Sequence, residues 1–202
     1  MRQIKSNTLC LLLIVWLINA CSFSSGVQND KPKIDAFFDL EGLVNQQIEK
    51  LSSFNPRVRK EATINGQEEV QDLDSLNWKK ELHVFLKADI NKPRLLSQYT
   101  TDTYQNEAGN QVTSYKNIED RVSGVAKMEV VKDPSNQQVL SITIDSYEFN
   151  TLFTARAELR MNFEHLENEL QLKDYSIKGG EKVIMKDTME YTIKVKIGPL
   201  ES

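Results

Sequence analysis

The chain has 202 residues, 40% of them hydrophobic, with 25 Lys+Arg against 29 Asp+Glu and two Cys. Residues 1–20 carry only Arg2 and Lys5 as charges, so their removal leaves 182 residues with 23 basic and 29 acidic side chains, a net charge of −6. That length suits one domain and buries enough surface to fold without disulfides or metal. The acidic balance argues against nucleic acid, which selects a basic face, and the modest net charge argues against wholesale disorder.

The first segment reads as an address. Met1 to Asn7 is short, polar and basic, and Leu9 to Ile18 is an unbroken apolar run. Ten helical residues span about 15 Å, half of a hydrocarbon core of about 30 Å, so the run is a signal h-region rather than a membrane span. It ends in Ile18-Asn19-Ala20-Cys21. This ending resembles the lipobox of bacterial lipoproteins, in which an aliphatic residue and a small residue precede an obligatory Cys. The resemblance implies cleavage before Cys21 and acylation of its thiol and new amino group. Asn19 departs from the small or hydroxylated residue usual in the family. Cys21 is also the only Cys after residue 20, and a lone thiol in an oxidising compartment is otherwise a liability. Several buried acyl chains, at about 0.8 kcal/mol per CH₂, hold a protein on a bilayer almost permanently.

Ser22 follows the Cys, where an Asp favours inner-membrane retention in enterobacterial lipoproteins, so the resemblance implies outer-membrane sorting. The chain also resembles the uncharacterised outer-membrane lipoproteins of Bacteroidota. Ser22-Phe23-Ser24-Ser25-Gly26-Val27 lacks the acidic residues often found in surface-exposed members, which favours the periplasmic face. The organisation expected is thus a signal peptide at 1–20, a lipidated tether at 21–33 and one α+β domain at 34–202.

Within that domain Ile34, Phe37, Leu40, Val44, Ile48 and Leu51 recur at helical steps, predicting an amphipathic helix of about 18 residues. Asp35 and Asp39 suit its first turns, Gly42 weakens it, and Ser52-Ser53 with Asn55-Pro56 stops it. Lys60 to Val70 predicts a hairpin around Asn65-Gly66, because Asn-Gly supplies the two positive φ values of a type I′ turn. Its charged strands suit a sheet edge. A second helix is expected with Trp78, Leu82, Phe85 and Leu86 on one face, capped by Asp72, Asp74 or Ser75 and limited by Pro93.

From about residue 97 the period changes to two. Strands are expected at 99–104, 112–118, 122–131, 139–149 and 153–163, with turns at Glu107-Ala108-Gly109-Asn110 and Asp133-Pro134-Ser135-Asn136. In 153–163, Phe153, Ala155, Ala157, Leu159, Met161 and Phe163 alternate with polar residues, as a half-buried strand requires. Residues 169–178 are expected to turn at Gly179-Gly180 into a last strand, with Val183, Met185, Met189, Tyr191, Ile193, Val195 and Ile197 on one face and Lys186, Glu190, Lys194 and Lys196 on the other. A parity shift between Ile144 and Tyr147 suggests a bulge. Short turns make the strands antiparallel neighbours. The fold expected is α+β: a curled antiparallel meander of about seven strands, covered by two amphipathic helices, with a small N-terminal hairpin.

No constellation carries catalysis. There is no Gly-x-Ser-x-Gly, and His83 and His165 come without local partners and read as surface residues. Glu164, His165 and Glu167 read as solvated charge rather than metal ligands. Asp72-x-Asp74 begins like a calcium loop, but Asn77 stands where Gly is needed and His83 where Glu is needed. Gly179-Gly180-Glu181-Lys182 is no phosphate cradle, since no helix follows it. Paired carboxylates for glycoside hydrolysis require a separation that sequence does not give. Tyr99, Tyr104, Tyr115, Tyr147, Phe149, Tyr175 and Tyr191 fall on expected strands, where most are packing and some suit a groove.

No cofactor and no enzyme activity are called for. In layout (lipobox, helices, antiparallel meander) the chain resembles the lipoprotein carriers LolA and LolB, without any family motif. The function expected is a non-catalytic envelope lipoprotein that binds or carries a hydrophobic ligand or a partner protein. A structural or assembly lipoprotein is the alternative, and an envelope glycan or peptide hydrolase the remoter one. A helix-lined apolar cavity of several hundred Å³ would favour the carrier, and a filled interior the partner protein.

Overall fold

A computed structural model describes residues 36–119, 123–166 and 169–198. Helix α1 runs Leu40–Phe54, shorter than the expected 18 residues. Asp39 is its N-cap, its carboxylate accepting from Gly42 N at 3.0 Å. A Cβ on Gly42 would collide with that carboxylate, so the glycine makes room for the cap. Asn55 ends the helix in the left-handed region at φ 46, just before Pro56. Phe37, expected inside the helix, precedes it and packs edge-on to Tyr99 and Tyr115.

Strands β1 (Val58–Ile64) and β2 (Gln67–Leu73) form the hairpin, with Asn65 and Gly66 at φ 48 and 82. The second helix is two short turns, α2 (Trp78–Glu81) and α3 (His83–Lys87), which meet at Leu82. Asn77, not Asp72, Asp74 or Ser75, caps α2, accepting from Lys80 N at 3.0 Å. Then follow β3 (Tyr99–Gln105), β4 (Gln111–Asn117), β5 (Gly124–Lys132), β6 (Val139–Phe149), β7 (Phe153–Leu166), β8 (Glu169–Val183) and β9 (Met189–Ile197).

Among the described residues the nine strands form one open antiparallel sheet in the order β2-β1-β9-β8-β7-β6-β5-β4-β3. The hairpin is therefore no separate appendage: β1 pairs with β9, Val58 opposite Ile197 and Ile64 opposite Tyr191. β2 and β3 are the two edges, and the chain between them, bearing α2 and α3, crosses one face of the sheet. Buried apolar side chains from that face and from the helices make one core, among them Leu40, Val44, Trp78, Phe85, Ile142, Ile144, Leu159, Met161, Tyr175 and Val195. Each fully buried Leu, Ile or Met contributes about 1.5–3 kcal/mol.

Two expectations fail in the strands. β8 continues through Gly179-Gly180 to Val183, both glycines pairing on either side with β7 and β9. A Cβ on Gly179 would lie 2.5 Å from Arg156 O and 2.6 Å from the Tyr191 hydroxyl. The glycine thus accommodates a side chain laid across the strand, and the turn falls later. Val183 and Met185 accordingly leave the face of the last strand, and Lys186 leaves its lysine stripe. The bulge is on β5, where Ala126 is extra between Val125↔Ser146 and Lys127↔Asp145. β6 stays in register with β7 through Phe149 and turns Tyr147 outward. Lys173 is a further extra residue, between Phe163↔Leu172 and Asn162↔Asp174. It keeps Leu172 and Tyr175 on the same, buried face despite their odd spacing.

Candidate functional site

On the helix-covered face, side chains fill the interior. Tyr175 is 1% exposed and meets Phe85 edge-on with ring centres 5.9 Å apart. Its hydroxyl donates to Glu81 Oε2 at 2.8 Å, and Lys60 Nζ reaches the two Glu81 oxygens at 3.0 and 2.8 Å. Burial, and then the Glu81 carboxylate, push the Tyr175 phenol far above its ordinary value, so it stays a proton donor. Lys60, Glu81 and Tyr175 have the residue types of an acid–base set. Here they fasten α2 to β1 and β8, and nothing in their sequence spacing marks them. Gln47 similarly ties α1 to β8, accepting from Leu172 N at 2.8 Å and donating to Leu170 O at 3.3 Å beside the Lys173 bulge.

The opposite, open face holds a groove of about 800 Å³. Register assigns its walls. Thr63, Thr192, Lys178, Glu158 and Asp145 stand opposite one another across β1, β9, β8, β7 and β6, and paired residues share a face. Glu190, Arg156 and Tyr147 form the next row toward the end of the sheet. Between the rows, Gly179 and Ala157 leave a shallow floor, and Asn65, Gly66 and Thr188 close the groove at the strand ends. Arg156 and Glu190 approach to 3.7 Å over Gly180, an exposed pair of small energetic consequence.

Asp145 and Glu158 face each other directly, a like-charge pairing that disfavours the sheet. Burial, then Glu158, raise the Asp145 carboxyl above the ordinary range, against the pull of Lys127. Further across the same face, Glu129 accepts from Tyr104 at 2.9 Å and pairs with Lys127 at 2.8 Å. Burial alone would raise Glu129, but those two hydrogen bonds bring it below its ordinary value. This is a polar, mixed-charge surface.

The residues singled out from sequence scatter. Cys21 lies outside the described residues, as does Glu167. His83 is exposed on α3. His165, expected on the surface, is half-buried in β7, its Nε2 3.3 Å from Val139 O. Tyr99, Tyr115 and Tyr175 are core, Tyr104 and Tyr147 stand on the open face, and Tyr191 covers Gly179. Lys194 and Lys196 share the open face, opposite Glu61 and Arg59 of β1. Among the described residues no three His, Cys, Asp or Glu are grouped to hold a metal, and no helix is long and apolar enough to cross a membrane. Sequence reasoning missed the groove because it needs β1 beside β9, a pairing across more than a hundred residues.

No family model and no curated protein match the chain. Among solved structures, a LolA superfamily protein from Nitrosomonas europaea is similar at 11% identity over 78% of this chain and 94% of that chain, with a TM-score of 0.28. At that TM-score the likeness carries no weight for fold or function.

Proposed function

We propose that this chain is a non-catalytic, lipid-anchored envelope module that binds a partner protein on its open face. Acylation of Cys21 fixes it to the outer membrane, facing the periplasm, and the tether of residues 21–33 lets the domain stand off the bilayer. The observation that carries the reading is the groove of about 800 Å³ between the Thr63–Asp145 and Glu190–Tyr147 rows. It is open, mixed in charge and built on the most extensively paired strands, where a polar peptide segment finds both donors and acceptors. Carriage of a hydrophobic ligand inside would require space that Trp78, Phe85 and Tyr175 occupy.

Site-specific photo-crosslinking in cells tests it. A photoreactive residue in place of Tyr147 is expected to capture a discrete envelope protein, and one in place of Lys173, outside the groove, is not. Capture of acyl lipids alone at Tyr147 would turn the reading toward a carrier, and no capture at either position would sink it. The N-terminal peptide mass of the native protein tests the anchor separately.

A further inference from the structure

Three turns lie side by side at one end of the sheet: Ile64-Asn65-Gly66, residues 149–152, and residues 184–188. Backbone bonds stitch them together, Ile184 N to Leu152 O and Asn65 N to Glu190 O, both 2.9 Å. Their apolar side chains face solvent: Leu152 is 65% exposed, Ile184 55% and Met185 100%, with Ile64, Phe149 and Met189 beside them. Turn tips are normally polar, and scattered exposed apolar residues need no explanation, but six on adjoining tips do.

The last turn is the clearest. Lys186 N bonds Val183 O at 3.1 Å, making Ile184 and Met185 its two central residues. Met185 has φ 61, the left-handed region where Gly or Asn is the norm. A fully exposed methionine is held where its backbone is strained.

We propose that this rim of turn tips seats on a lipid surface, with Leu152, Ile184 and Met185 inserting among the acyl chains. The tips project rather than forming a groove, so they suit a fluid that closes around them, not a partner of fixed shape. Their charge also fits. The three turns carry Lys186 and Asp187 and no other charged residue, hence no net charge, on a chain whose net charge is −4. An acidic protein near anionic headgroups presents turns without net charge with least repulsion. The chain length agrees. Fifteen residues from Cys21 to the first described residue reach at most about 50 Å, so an anchored domain can bring either end to the bilayer, and tethering makes a weak contact effective. Only this last point rests on the anchor proposed above.

The test uses the full chain, with Met185→Cys or Ala108→Cys carrying an environment-sensitive fluorophore, on vesicles of phosphatidylethanolamine and phosphatidylglycerol with quencher-bearing acyl chains. Ala108 sits in the turn at the opposite end of the sheet. The label at 185 is expected to shift to the blue and be quenched, the label at 108 to remain as in water, and Leu152→Asp to weaken the signal at 185 about tenfold in lipid concentration. Equal quenching at both positions, or none at 185, overturns the proposal, as does an unchanged signal in Leu152→Asp. Protection of the 185 label by an envelope protein but not by vesicles overturns it in favour of a protein partner. If the intact mass shows no acyl groups, the native cysteines are replaced by Ser before labelling, excess vesicles replace the tether and the same contrast is expected, so the anchor and the rim fail separately.

Discussion

Two sets of turns at opposite ends of the sheet share a means of support and differ in what they expose. At one end, residues 106–110 and 133–138 turn through polar residues whose side chains satisfy their own backbone. Asn106 Oδ1 accepts from Ala108 N and Asn110 N, Asp133 from Ser135 N, and Asn136 from Gln138 N. At the other end the same device survives, Asn150 Oδ1 accepting from Leu152 N and Phe153 N, but the tips it orders are apolar and exposed. Turn geometry thus leaves tip composition free, and the exposed apolar tips concentrate where the three turns adjoin, with Leu166 exposed at the opposite end.

Substitutions can break or sharpen this contrast. The largest effect on stability is expected at Gly179, under the apolar end. Ala there meets the Arg156 carbonyl and the Tyr191 ring, and overpacking of this kind costs about 1–3 kcal/mol. Urea denaturation should register it, and an unchanged midpoint would mean the strands yield freely. Next come Asn106→Ala and Asn150→Ala, each removing an acceptor from two backbone N–H groups. Both should cost about 1 kcal/mol, and a large inequality between them would show that the ends are not held by the same means.

Met185→Gly relieves the positive φ and should stabilise the domain by up to about 1 kcal/mol while removing the most exposed tip side chain. A gain in stability with a loss of vesicle contact would mark the methionine as retained for its surface. The smallest effect is expected at Asp145. Its raised carboxyl means the ionised form is disfavoured in the fold, so stability falls as pH rises through the ordinary Asp value of about 3.9 toward the raised one. Asp145→Asn should therefore gain slightly at neutral pH, and the gain should vanish in acid. Melting curves across that range check the sign, and a gain that persisted below the ordinary Asp value would contradict it.

Much of the architecture was legible because it is local. Asn65-Gly66 turns as its own φ preferences require, Phe153 to Phe163 alternate as a half-buried strand, and Asn55-Pro56 ends α1. Gly179-Gly180 misled for the same reason: two glycines signal a turn to any local reading, while their role, room for Tyr191 above one and for Arg156 and Glu190 about the other, appears only when β9 lies alongside. The parity break near Ile144 pointed to the right place and the wrong strand, because there β5 supplies the extra residue, Ala126.

The sequence by itself determined the helix-then-strands order, the apolar face of strands such as 153–163 and the N-terminal resemblance to a lipobox, since these depend on periodicity and short motifs. Only the tertiary structure decided that β1 closes onto β9, that Lys60, Glu81 and Tyr175 meet, that a groove opens on the polar face and that three apolar turns adjoin. Each of those depends on residues brought together from far apart in the chain, and contact between distant residues leaves no period to read.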